Sequence, residues 1–183
     1  MSSTDLMRWG GLAAGVAGAL FMINNLINLF IPSLGQGTSA LLVKSVSTPV
    51  AGALLLFGLV GLYFYRSEIT GIVGLIGFLF AFFCTVVALM GNVWANLPAD
   101  LGWALFGVSC LRAGVYPRVA AILLIIGAAI TAPFSALIIG GPGSGLAYVG
   151  IAAAVVFNLS VAWLGLSLFA RGGEEARQPA RTG

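Results

Sequence analysis

The chain has 183 residues, of which 60% are hydrophobic and 7% are charged, and its formal net charge is +3. A soluble globular domain carries about 25% charged residues, so this composition excludes that class and fits a lipid bilayer as the solvent. The basic residues are scattered singly rather than gathered into a stripe, which argues against a nucleic-acid partner. We therefore expect an integral membrane protein whose main partner is the bilayer.

Six apolar runs are long enough to cross a hydrocarbon core of about 30 Å at 1.5 Å per residue. In chain order they are Trp9–Ile31, Thr48–Tyr65, Ile69–Trp94, Pro98–Val115, Val119–Ile139 and Leu146–Ala170. The fourth run is the weakest, because Asp100 near its start and Arg112 near its end leave a short apolar centre. The predicted fold class is all-α: a polytopic membrane helical bundle of six transmembrane helices, forming one domain over residues 1–170.

The basic residues predict the orientation of these spans, because cytoplasmic loops keep an excess of Lys and Arg. If the N-terminus is inside, only Lys44 falls outside, and the cytoplasmic side holds Arg8, Arg66, Arg112, Arg118, Arg171, Arg177 and Arg181. We expect both termini in the cytoplasm, with residues 171–183 as a disordered cytoplasmic tail. The expected location is the plasma (inner) membrane of a bacterium.

The first outer loop, residues 32–47, is long and half apolar. It is compatible with a re-entrant or surface helix around Ser39–Val46, with a lid over the bundle, or with an early start of the second span that kinks at Pro49. The sequence leaves these three alternatives open.

Small residues recur at helical spacing, as expected where helices approach closely in a membrane. The first span carries two such rows, Gly10, Ala14, Gly18 and Gly11, Gly15, Ala19, and the third span carries Gly71, Gly74 and Gly77. We interpret these rows as packing within the bundle rather than as a homodimer motif.

Asparagines are the unusual polar residues of this apolar chain. Asn24, Asn25 and Asn28 lie in the outer half of the first span, and Asn92 and Asn96 lie four residues apart at the outer end of the third. One hypothesis is an outward-open ligand pocket, with Lys44 or Asp100 supplying charge. It would be formed by Asn24, Asn25, Asn28, Lys44, Asn92, Asn96 and Asp100.

The alternative is that these amides hydrogen-bond between helices, which typically contributes about 0.6 kcal/mol each in membranes. For the outer group the two interpretations are evenly matched, and for Asn158 in the sixth span the interhelical bond is favoured. Trp94 and Trp103 are interpreted as residues of the interfacial aromatic belt.

Catalysis is disfavoured by the distribution of titratable groups. Glu68 is predicted inside and Asp100 outside, about 30 Å apart across the hydrocarbon core, so they cannot act as an acid–base pair. The chain has no histidine and only two cysteines, Cys84 and Cys110, both in apolar segments. We therefore expect no catalytic residue, no metal site and no cofactor.

Residues 100–130 resemble a pattern of small polytopic bacterial membrane proteins of the domain-of-unknown-function type, through the turn Arg112-Ala113-Gly114-Val115-Tyr116-Pro117-Arg118. In those proteins a short span runs into an Arg/Lys-(Ser/Ala)-Gly-x-x-Pro-Arg turn and then into a Leu/Ile-rich span. The resemblance covers about a sixth of the chain and implies topology only. Gly114 is expected to end one helix, and Pro117 to start the next.

The architecture is also similar to that of the substrate-binding subunits of energy-coupling factor vitamin transporters. Those are six-span proteins of about this size, with an outer pocket under the first loop and an Ala-x-x-x-Ala motif in the first span that docks the transport partner. Ala13 and Ala17 match that spacing.

Two hypotheses of function follow. The first is an integral membrane protein that acts as a non-enzymatic accessory or ligand-sensing subunit, with a membrane protein partner or a small polar ligand. The alternative is the substrate-binding component of a small-molecule transporter with an outward-facing polar pocket.

Overall fold

The computed structural model of the chain describes residues 3–30, 38–65, 67–114, 116–137 and 145–177. Within these ranges the chain forms six α-helices and one 3₁₀ turn, with no strand, so the predicted all-α class is confirmed. The helices are α1 (Ser3–Phe30), α2 (Thr38–Phe64), α3 (Ser67–Leu89), α4 (Asn96–Ala113), α5 (Arg118–Leu137) and α6 (Gly145–Arg177). The 3₁₀ turn, Val93–Ala95, connects α3 to α4.

Four of these helices, α1, α2, α3 and α6, are long and apolar enough to cross a membrane. Their qualifying segments are Asp5–Ile27, Ser45–Phe64, Glu68–Leu89 and Tyr148–Gly173. The apolar part of α5 is shorter, and α4 is the weak run that the sequence already indicated. By length and composition, the chain is a membrane protein.

The six helices form a closed ring, since each packs against its neighbours in the chain and α6 returns to α1. Neighbours run antiparallel: Gly10 and Ala14 of α1 meet Gly61 and Gly58 of α2 in reverse order. Large side chains buried inside the ring make its core, among them Leu59, Leu62, Trp103, Phe106, Leu124 and Leu164. The ring is therefore a solid bundle over most of its length.

Helix α1 uses its small residues to approach two partners at once. A Cβ atom on Gly10 would lie 2.8 Å from the Cα of Gly61, whereas one on Gly11 would lie 2.6 Å from the backbone N of Phe169 in α6. The predicted row of Gly10, Ala14 and Gly18 implied that Gly18 faces α2, as Gly10 does. Gly18 instead packs against Ala162 of α6. Both rows of α1 thus pack within the bundle, as predicted.

Gly71 departs from the packing predicted for the third span. Its φ of 61° and ψ of −164° break the helical path inside α3, and a Cβ atom there would meet nothing within 4 Å. Gly74 and Gly77 do lie close to α4, against Ser109 and Phe106. Gly71 therefore marks a kink in α3. Glycine suits this position because its φ lies in the left-handed range that other residues rarely adopt.

Helices α2 and α6 extend furthest beyond the predicted spans. Helix α2 begins at Thr38 and continues through Pro49, so of the three alternatives for the first loop the early start of the second span agrees with the structure. Residues 31–37 lie outside the described part of the chain. Helix α6 continues to Arg177, so the first residues of the predicted tail are helical, with Gly172 close to Arg8.

The turn between α4 and α5 forms as its sequence predicts and also fixes the end of α2. Gly114 caps α4 in the left-handed conformation, with a φ of 63°, and α5 begins just after Pro117. The buried Tyr116 hydroxyl donates a 2.7 Å hydrogen bond to the carbonyl oxygen of Leu62. That carbonyl belongs to the last turn of α2, where helix carbonyls need partners from elsewhere. Burial raises the pKa of Tyr116 well above its usual value.

The close contact of α1 with α6 predicts opposite effects for two glycine substitutions. Gly11→Ala should lower the free energy of unfolding by about 1–3 kcal/mol, because its Cβ would clash with backbone atoms that cannot move independently. Gly173→Ala on α6 has open space around it and should be neutral or stabilising by up to about 1 kcal/mol. Thermal unfolding in detergent measures both, and equal midpoints would contradict this packing.

The hydroxyl of Tyr116 should contribute to stability in a pH-dependent way. Tyr116→Phe leaves the Leu62 carbonyl without this donor and should cost about 1–3 kcal/mol, whereas Tyr148→Phe, at an exposed position, should cost little.

The sign of the pH dependence follows from the raised pKa. Because the folded state holds the phenolic proton more tightly than the unfolded state, whose tyrosine pKa is about 10, this contribution is present below pH 10 and lost as the pH rises. Above about pH 10, wild type should lose unfolding free energy more steeply than Tyr116→Phe. Parallel slopes would show that Tyr116 does not govern this titration.

Candidate functional site

A cavity of about 310 Å³ lies inside the ring at the end where α3 passes to α4. Five of the six helices, all except α5, contribute to its wall. The lining residues are Phe21, Thr48, Leu55, Thr85, Ala88, Leu89, Asn96, Ala99, Asp100, Trp103, Phe157 and Asn158. Toward the other end, the next residues inward, such as Leu59 and Phe106, belong to the filled core.

The wall combines three kinds of side chain. Its polar members are one carboxylate, two amides and two hydroxyls: Asp100, Asn96, Asn158, Thr48 and Thr85. Its aromatic members are Phe21, Trp103 and Phe157, and its remainder is small or aliphatic. An apolar cavity with a few convergent polar groups is the usual form of a small-molecule site.

The connection between α3 and α4 places the polar side chains of α4. Helix α3 ends at Leu89, and Gly91, with a φ of 97°, reverses the chain. Asn92 then caps the 3₁₀ turn, its side chain accepting a 3.2 Å hydrogen bond from the backbone N of Trp94. Because α4 starts directly after this turn, Asn96, Asp100 and Trp103 follow at helical spacing along one face of α4, toward the cavity.

Among the described residues of this wall, Asp100 is the only charged one. Its side chain is half-buried, and among the described residues it has no hydrogen-bond or ion-pair partner. No three His, Cys, Asp or Glu residues of the described chain come together as a metal-binding group. The site therefore holds one acidic side chain that pairs with no cation within the described part of the chain.

Of the seven residues predicted to form a pocket, Asn96 and Asp100 line the cavity. Asn24 instead donates a 3.4 Å hydrogen bond from Nδ2 to the Ser47 hydroxyl of α2, which is the interhelical role considered as the alternative. Asn25 donates a 3.0 Å bond to the carbonyl of Phe21 on its own helix. Asn92 is the exposed cap of the 3₁₀ turn, so it does not share one helix with Asn96.

The side chains of the two remaining predicted residues, Asn28 and Lys44, lie outside the described residues. Nothing in the described structure therefore assigns these two to the cavity or to the helix interfaces.

Two residues of the cavity differ from their predicted roles. Trp103 is 2% exposed and makes edge-to-face contacts with Phe106 and Phe157, so its assignment to an interfacial belt was wrong. Trp94, at 66% exposure, fits that assignment. Asn158 donates its bond to the carbonyl of Ala154 one turn back, at 2.7 Å, rather than to another helix.

Sequence reasoning missed the aromatic part of the wall and its two threonines. The spacing of Asn96, Asp100 and Trp103 at i, i+4 and i+7 was a signal that these three share one helix face. No comparable pattern marks Phe21, Phe157, Thr48 or Thr85, which come together only because their helices close the ring.

Comparison with known proteins finds no matching family model, no matching curated protein and no matching solved structure. The cavity and its residues are therefore the features that indicate a function.

Proposed function

We propose that this chain is a six-span membrane protein that binds a small molecule in the cavity between its helices and acts as a non-enzymatic accessory or ligand-sensing subunit. The observation that carries the proposal is the cavity itself, which side chains from five helices line together with one half-buried carboxylate. A volume of about 310 Å³ is at the lower end of the roughly 300–1,000 Å³ of ligand pockets, so the ligand is small.

Six spans are supported by the lengths of the two weaker helices. Helix α4 has 18 residues and α5 has 20, which correspond to about 27 Å and 30 Å of rise. Both are close to the thickness of a hydrocarbon core, about 30 Å. If α4 and α5 both cross the membrane, Arg112 and Arg118 lie on the same side as the N-terminal Arg8, as the positive-inside rule requires.

The absence of catalysis is supported by the isolation of Asp100. Within the part of the chain that the structure describes, no second titratable side chain lines the cavity with it, and Glu68 is exposed at the opposite end of α3. General acid–base catalysis needs groups within hydrogen-bond reach of one substrate. One carboxylate among amides and hydroxyls is better suited to holding a ligand than to transforming it.

A substrate-binding component of a transporter is the second candidate, favoured by the position of the cavity at the end of the bundle predicted to be outside. Ala13 and Ala17 do not support docking to a transport partner, because both are buried within the ring. The two candidates differ in whether the ligand crosses the membrane, which uptake into reconstituted vesicles measures.

The six-span topology predicts the labelling of two cysteines introduced into a background without Cys84 and Cys110. Arg118→Cys, at the α4–α5 turn, should react with a membrane-impermeant maleimide only after the bacterial cells are permeabilised. Val93→Cys, before α4, should react in intact cells. Both positions are exposed on the protein surface. If α4 and α5 did not cross the membrane, both cysteines would react from the outside.

The ligand-binding proposal predicts different effects when tryptophan is introduced at either of two adjacent positions on α3. Ala88→Trp fills the cavity, whereas Val87→Trp places the same side chain on the exposed surface. In a thermal-shift screen of the detergent-purified protein, a ligand should raise the unfolding midpoint of wild type and Val87→Trp but not of Ala88→Trp, because only a bound native state is stabilised.

The screen contains small cationic, neutral and anionic compounds. Stabilisation that persists in Ala88→Trp would place the ligand elsewhere. A panel in which no compound shifts the wild-type midpoint would contradict binding in this cavity.

A further inference from the structure

We propose that the ligand is a small protonated primary amine with an apolar body, whose ammonium group pairs with Asp100. This inference rests on the proposed function and adds the chemical class of the ligand. It is carried by the charge of the wall, by the kind of hydrogen-bonding atoms the wall presents, and by its aromatic residues.

The charge of the cavity favours a cation. Asp100 is the one charged residue among the described residues of its wall, and the described chain offers it no internal cation. Leaving an ionised carboxylate half-buried without a partner costs free energy that an arriving cation recovers. An anionic ligand would instead meet the carboxylate within a cavity of about 310 Å³ and be repelled.

The polar groups around Asp100 favour a ligand that donates hydrogen bonds. One N–H of the Asn158 Nδ2 donates to the carbonyl of Ala154, so the side chain keeps its Oδ1 acceptor and a single N–H for a ligand. The Asn96 side chain adds a second amide oxygen, and the hydroxyls of Thr48 and Thr85 also accept. A primary ammonium has three N–H donors, which matches one carboxylate and several neutral acceptors.

The rest of the wall favours an organic cation over a bare metal ion. Phe21, Trp103 and Phe157 line the cavity, and Trp103 and Phe157 hold each other edge to face with ring centroids 5.5 Å apart. Aromatic rings attract cations and also pack against apolar groups. A volume of about 310 Å³ corresponds to about ten water molecules, which is much more than one ion fills.

The test compares three compounds of nearly the same shape that differ in charge: 2-phenylethylammonium, 2-phenylethanol and 3-phenylpropanoate. Each is titrated against the purified full-length chain in detergent at neutral pH, with thermal shift and calorimetry as readouts. We expect the ammonium to bind and to raise the unfolding midpoint, and to bind more tightly than either analogue by at least about tenfold, the value of one charge-assisted hydrogen bond.

Asp100→Asn is the variant that tests the charge directly, because it keeps the shape of the side chain. It should lose at least about tenfold in affinity for the ammonium and should no longer distinguish it from the alcohol. Thermal unfolding without ligand shows that the variant is folded. Equal ammonium affinity in wild type and Asp100→Asn, or tighter binding of the alcohol or the propanoate, would overturn the amine assignment.

Failure of the amine is distinguishable from failure of the cavity. If the alcohol or propanoate stabilises wild type and Val87→Trp but not Ala88→Trp, the cavity is a binding site for another class of ligand and only the present inference falls. Stabilisation by Na⁺ alone that is lost in Asp100→Asn would show that Asp100 binds a metal ion, and this result would also overturn the amine assignment.

A lipid headgroup is a second source of a primary ammonium. Addition of phosphatidylethanolamine without a soluble amine should give no shift of the unfolding midpoint, whereas a shift that Asp100→Asn abolishes would identify the lipid as the source of the ammonium.

Lys44 is included as a variant because it lies one helical turn before Thr48 on α2 and its side chain is outside the described residues. Lys44→Gln should retain or strengthen ammonium binding, because removing a cation from the chain cannot weaken the attraction of an ammonium to Asp100. Loss of ammonium binding in Lys44→Gln, with the variant folded, would contradict the proposed arrangement.

Discussion

The ring of helices depends on the close approach of backbones at α1. Gly10 meets Gly61 of α2, and Gly11 meets Phe169 and Gly165 of α6, at separations that any side chain on these glycines would prevent. In a membrane, apolar surface gains little by leaving lipid, so helix association relies on such close van der Waals packing. Because α1 contacts both its chain neighbour and the last helix, it closes the ring, and the interior exists only because the ring is closed.

The contents of that interior differ from one end to the other. At the end of the α4–α5 turn, leucines, Phe106, Cys110 and Tyr116 fill the space, and Tyr116 ties the turn to the last carbonyls of α2. At the other end, Thr48, Ala88 and Ala99 stand where larger residues would be needed to fill the ring, and a cavity results. Three residues belong both to the core cluster and to the cavity wall, so the filled half meets the open half at Leu55, Trp103 and Phe157.

The asparagines of this chain have different roles according to their surroundings. Asn24 bonds across to α2, Asn25 and Asn158 bond to their own helices, and Asn92 caps a turn. An amide that satisfies a carbonyl of its own helix still presents its oxygen, which is how Asn158 can be buried and also line a cavity. Both interpretations that the sequence left evenly matched therefore apply, but to different residues. Asn24 forms a hydrogen bond between helices, whereas Asn96 lines the cavity.

The sequence by itself determined the six helices, the turn in which Gly114 ends α4 and Pro117 precedes α5, and the use of small residues on α1. Each of these depends on local spacing and hydrophobicity. It also identified Asn96 and Asp100, whose polarity is conspicuous in an apolar chain. Only the tertiary structure decided that Trp103 is buried, that α2 begins before Pro49, and that Phe21, Thr48, Thr85 and Phe157 share one cavity. Those residues are ordinary within their own helices, and their proximity arises from the closure of the ring, which brings together positions far apart in the sequence.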